Sequence, residues 1–95
     1  LRSVYTEKVN SKLPEKAKKQ GDWPVDEDHC FGRIVLDNLF EDIWYTHIEE
    51  RPAYMNLSMQ ELKEAVEIAD RMLSKGREEV DVLNQKSLSY REETR

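Results

Sequence analysis

The sequence predicts an all-α fold: a small bundle of four to five helices packed around a buried central helix at about residues 28–48. Three observations carry that expectation. Apolar residues recur at three- and four-residue spacings through most of the chain. No stretch of useful length alternates apolar and polar residues as a half-buried strand does. Three Gly and three Pro leave little turn material for a sheet. Ninety-five residues suffice for one domain with a single modest core, so residues 1–95 read as one helical domain.

Residues 1–20 form a basic N-terminal arm or helix. Val4, Tyr5, Val9 and Leu13 make a weak stripe at mixed spacings, and Pro14 suits the first turn of a further short helix, where its missing N–H is not needed. Gly21 is a stop signal. The segment GDWPVDED then leads into the central helix, with acids near an N-terminus that favours negative charge.

From Asp28 to Ile48 the apolar positions occupy nearly the whole circumference at 100° per residue, which is the pattern of a helix wrapped by others. Gly32 costs about 1 kcal/mol relative to Ala inside a helix, so it predicts a neighbouring backbone at close approach. Pro52 ends this helix, because the residue before a proline is driven out of the α region. Next, Ser58 and Glu61 have the spacing of a capping box, and Leu57 can staple onto Leu62. Leu62, Ala65, Val66, Ala69, Met72 and Leu73 give that helix one apolar face, which Gly76 closes. Val80, Leu83, Ser87 and Tyr90 mark a last helix fraying into a charged tail.

Composition limits the function classes. Net charge is −5, yet residues 1–20 carry six Lys or Arg against Glu7 and Glu15. A basic arm above an acidic body is expected to lie on that body, and the body's charge argues against a nucleic-acid footprint. No apolar run approaches the roughly 20 residues that cross a bilayer. One cysteine, Cys30, excludes an intrachain disulfide and fits a reducing compartment. The expectation is a soluble, cytoplasmic protein with no membrane partner.

Polar residues inside the apolar pattern are the candidates for a site. His29, Arg33 and Asp37, spaced i, i+4, i+8, climb one side of the central helix, and Phe40, Trp44 and His47 continue roughly that side. Two readings are open. Arg33 and Asp37 can form a buried ion pair that ties the helix down, since buried charge must be paired. Alternatively, the stripe and its aromatic neighbours form one wall of a small-ligand pocket. Trp23 and Tyr54, at the two ends of this helix, read as lids on the core, with a binding role for either as the alternative.

Metal binding and nucleophilic catalysis have little support. On one helix His29 and His47 would lie roughly 27 Å apart, and His29 with Cys30 lacks the second ligand pair of a zinc site. Cys30 is expected on the apolar side with Ile34, where a thiol is inert. No phosphate loop, G-x-S-x-G or H-E-x-x-H is present. No metal and no cofactor are expected.

Asp28, His29, Cys30, Arg33, Ile34 and Asp37 spell D-H-C-x-x-R-I-x-x-D; Trp44, then Pro52-Ala53-Tyr54, and finally Leu83, Asn84, Ser87, Leu88 and Arg91 follow. Over about residues 23–91 this pattern resembles a group of small microbial helical proteins, some of them labelled GNAT-type N-acetyltransferases. A GNAT enzyme has an α/β fold with a Q/R-x-x-G-x-G/A loop for acetyl-CoA. Gly21, Gly32 and Gly76 are too far apart to write that loop. The resemblance implies that Asn84, Ser87 and Arg91 pack near His29, Arg33 and Asp37, either framing a polar pocket or giving Asp37 a second partner.

The expectation is therefore a non-catalytic binding or interaction module with its site on the central helix: His29, Arg33, Asp37, Trp44 and Arg91. The partner classes are another protein, a small anionic ligand, or a second copy of the chain. The alternative is a small transferase or hydrolase with His29 as general base and Arg33 holding an anionic group.

Overall fold

The computed structural model describes residues 1–93, with side chains as far as Glu92. Among the described residues every regular element is helical. They are α1 (Arg2–Glu7), a π-helical stretch (Lys8–Lys12), α2 (Leu13–Gln20), α3 (Asp28–Phe40), short 3-10 turns at Trp44–Thr46 and Ala53–Asn56, α4 (Met59–Lys75) and α5 (Arg77–Glu93). Because α1, the π stretch and α2 run on without a break, the bundle has four rods, and its all-α architecture is the one expected.

The first rod explains its own weak stripe. Its buried row is Tyr5, Val9, Leu13 and Ala17, one every fourth position, with Pro14 buried beside Leu13. In a regular α-helix such a row drifts by about 40° at each step. The wider i→i+5 turn at Lys8–Lys12 takes up that drift and keeps the row facing the core. It also comes just before Pro14, which has no N–H for an i→i−4 bond and whose ring crowds the preceding turn. Gly21, at φ 79°, ends the rod by donating its N–H to the Ala17 carbonyl. Lys8 pairs with Asp70 at 2.6 Å, and Lys16 donates to the Leu73 carbonyl at 2.6 Å. Part of the basic arm thus does lie against the acidic body.

α3 is central, in contact with both α4 and α5 as well as with the first rod. Phe31, Ile34 and Val35 are fully buried by the chain's own residues. It stops at Phe40, however, eight residues before the expected end at Ile48. Glu41 adopts the left-handed conformation (φ 53°), and the N–H groups of Glu41 and Asp42 both reach the Asp37 carbonyl. The Asp42 carboxylate then accepts the Ile43 N–H at 2.8 Å and starts a new direction. Ile43, Trp44 and Ile48 still pack on the core, which is why their spacing read as more helix. Apolar periodicity records burial, and here a loop is buried. Pro52 therefore ends nothing, since the helix has already closed.

α4 follows its signals closely. Ser58 Oγ accepts the Glu61 N–H, the Glu61 carboxylate accepts the Ser58 N–H, and Leu57 and Leu62 are both buried. Gly76 alone separates α4 from α5, at φ 75° and ψ −146°, a combination open to glycine but not to larger residues. The last helix continues through Glu93; the final part of the expected charged tail, Thr94 and Arg95, lies outside the described residues. No helix among the described residues is long and apolar enough to cross a membrane.

Candidate functional site

α3 has polar residues on two neighbouring faces, and the structure separates their roles. The face toward α5 holds a closed network centred on Asp37, whose side chain is 0% exposed. Asp37 Oδ2 accepts hydrogen bonds from Ser87 Oγ at 2.6 Å and from Arg91 Nε at 2.9 Å. Oδ1 accepts the Trp44 backbone N–H at 3.0 Å and a longer contact from Arg91 Nη2 at 3.4 Å.

Arg33 enters this network from the side, with Nη1 donating to Ser87 Oγ and Nη2 to Asn84 Oδ1, each at 2.8 Å. Asn84, Ser87 and Arg91 are spaced i, i+3, i+7 and so share one face of α5. That face meets the Arg33–Asp37 side of α3. No direct Arg33–Asp37 ion pair is present among the described residues; the Ser87 hydroxyl links the two, because Arg91 already holds the carboxylate. Among the described residues no buried side-chain nitrogen or oxygen lacks a hydrogen-bond partner.

The adjacent face of α3 opens onto a pocket of about 520 Å³, within the range of small-molecule sites. Asp28, His29, Gly32, Arg33 and Leu36 line it from α3; Tyr5, Val9 and Asn10 come from the first rod. Trp44 and the segment Arg51–Tyr54 form the outer wall. The Tyr5 and Tyr54 rings stack with centroids 5.7 Å apart, and burial, with Tyr54 adding a smaller effect, pushes the Tyr5 hydroxyl above the ordinary tyrosine range. The Arg51 guanidinium lies 5.1 Å from the centre of the Trp44 ring.

Gly32 has no close backbone neighbour, contrary to expectation: a Cβ built there meets nothing within 4 Å. Its missing side chain leaves part of the pocket lining bare.

The five candidates therefore divide. His29, Arg33 and Trp44 line the pocket; Asp37 and Arg91 do not, and support it from the network behind. His29 stands at the rim with its side chain 73% exposed, its Nδ1 3.4 Å from Glu27 Oε2 and 3.8 Å from Asp28 Oδ1. His47 lies elsewhere, stacked on Phe40 at 4.8 Å and 3.3 Å from Asp42 Oδ2. The Ile43 N–H first, then His47, hold the Asp42 carboxyl below its usual range. Trp23 packs edge-on to Phe31 at 6.0 Å and is a lid on the core, whereas Tyr54 is both lid and pocket wall.

Sequence reasoning missed Arg51, Tyr5, Val9 and Asn10 as lining residues. Arg51 carried a usable signal, a cation in an irregular segment beside an aromatic residue. Tyr5 and Val9 carried none, because each reads as core. Among the described residues, no group of three or more His, Cys, Asp or Glu is placed to hold a metal ion. Neither the family models, the curated proteins nor the solved structures contain a match to this chain.

Proposed function

We propose that this chain is a non-catalytic binding module for a small ligand, seated in the pocket between α3, the first rod and the Trp44–Tyr54 wall. The observation that supports it best is Gly32. A glycine inside a helix costs about 1 kcal/mol relative to alanine. Here no turn, positive φ or close backbone accounts for it, and its local consequence is an open patch of pocket lining. Aromatic walls with a few convergent polar groups are the usual make-up of such sites. A cytoplasmic setting belongs to the same reading, supported by the single free thiol, Cys30.

The test is an amide-shift screen of small aromatic fragments against the parent and Gly32→Leu. Binding is expected to move the Gly32, Leu36 and Ala53 amides of the parent and to be lost in Gly32→Leu, whose leucine fills the space. A library that moves none of these amides removes the reading.

One observation favours the enzymatic alternative: His29 sits at the rim beside the Glu27 carboxylate, as a general base held by an acid would. Hydrolysis of an activated aryl ester, abolished in His29→Ala with the fold intact, would establish it in place of simple binding.

A further inference from the structure

Resting on that reading of the pocket, we infer that its ligand is a small organic carboxylate with a flat apolar body, its charged end received by Arg51 together with Arg33. The first support is charge. The chain as a whole is net −5, yet the pocket lining carries two arginines against one acid, Asp28. Asp28 is already engaged at the start of α3, where its Oδ1 accepts the His29 N–H at 2.7 Å and the helix N-terminus favours its charge.

Among the described residues Arg33 and Arg51 form no ion pair, whereas Arg77 and Arg91 do. Arg33 is half-buried, and its two recorded partners, Asn84 and Ser87, are neutral. Asp37, the nearest acid in its network, is held by Arg91. A half-buried cation beside neutral acceptors, at the wall of a pocket, suits an incoming anion.

The second support is shape. A guanidinium lying over an indole keeps its N–H groups in its own plane, so Arg51 on Trp44 still has its planar fork to offer a carboxylate. The same indole lines the pocket with Tyr54 and Leu36, and one turn before Leu36 on α3 Gly32 leaves the lining without a side chain. A flat ring fits between such surfaces with its carboxylate toward the arginines.

The test compares 2-naphthoate with its neutral counterpart, 2-naphthalenemethanol, by amide and indole shift titration of the full chain and of Arg51→Gln. Arg51 is exposed and outside the core, so this variant is expected to keep the parent unfolding curve. The carboxylate should move the Gly32 and Ala53 amides and the Trp44 indole N–H, binding about tenfold or more tighter than the alcohol, as a charge-assisted contact implies. Arg51→Gln should bring carboxylate affinity down to that of the alcohol. Equal affinity of the two compounds at these residues would overturn the anion inference and leave the pocket reading standing. Naphthoate shifts confined to Lys12, Lys18 and Lys19 would also overturn it, in favour of the basic arm. If neither compound moves the pocket residues, both the inference and the reading beneath it fall.

Discussion

Two faces of α3 lie side by side and treat charge in opposite ways. Toward α5, Asp37 is sealed from water, and four donors from Ser87, Arg91 and the Trp44 backbone converge on its carboxylate. Toward the pocket, His29 is largely exposed and Arg51 lies on an indole with no ion pair among the described residues. Arg33 belongs to both, lining the pocket while Asn84 and Ser87 fix its guanidinium. The contrast explains how a small domain holds the wall of an open pocket steady. Buried polar groups that are fully satisfied lock two helices in one register, and that register positions the open face next to it. The Trp44 N–H bond makes the connection concrete, because one carboxylate oxygen holds the backbone of a pocket-wall residue.

Breaking the closed face should have the largest effect. Asp37→Ala removes the acceptor of both arms and is expected to cost about 3–5 kcal/mol, as loss of one partner from a buried charged network does. That is a large share of the roughly 5–15 kcal/mol that holds a typical domain together. Urea unfolding measures it, with Asp37→Asn expected to fall between variant and parent. A loss below about 1 kcal/mol would show that the network is not buried in solution.

Tyr5 tests how much of the pocket belongs to the core. Its hydroxyl is held above the ordinary range, so the folded state favours the neutral form. The contribution is fully present below about pH 10, the usual tyrosine pKa, and is lost as the unfolded chain begins to ionise above it. Unfolding free energy should therefore fall more steeply above pH 10 in the parent than in Tyr5→Phe. Parallel curves for the two would mean that water reaches the ring from the pocket side.

On the open face the expected effects are smaller, and one is opposite in sign. Gly32→Ala should stabilise by up to about 1 kcal/mol, since the added Cβ meets no atom and helix propensity improves. Destabilisation in a melting experiment would show a neighbour closer than described. Last, His29→Ala should stay within about 0.5 kcal/mol of the parent, because its side chain is exposed and the backbone N–H bonded to Asp28 is kept. A clear loss at His29 would join it to the closed face and end the contrast.

How much of this was legible varies by region. α4 was readable almost residue by residue, because its cap, staple and apolar face are all local: Ser58 to Glu61, Leu57 to Leu62, and a face repeating every turn. The stripe His29–Arg33–Asp37 was legible as a polar intrusion, but its division was not. Whether Asp37 meets Arg33 or Arg91 depends on where α5 lies, and a residue fifty-four positions away leaves no mark on local spacing. The end of α3 was misplaced for a related reason, since Ile43 and Trp44 pack on the core from a loop, and their apolar spacing imitates a helix face.

Local sequence thus sets the all-α class, the capping box of α4, the stops at Gly21 and Gly76, and the polar intrusion on the central helix. Each rests on interactions within a turn or two of chain, or on a period that repeats along it. Packing of distant segments sets the end of α3 at Phe40, the enclosure of Asp37 by Ser87 and Arg91, and the stacking of Tyr5 on Tyr54 in a pocket that Arg51 and Gly32 also line. Those pairings join distant residues. They form only once packing fixes which helix faces meet, because hydrogen bonds and charge pairing act over a few ångströms of space whatever the separation along the chain.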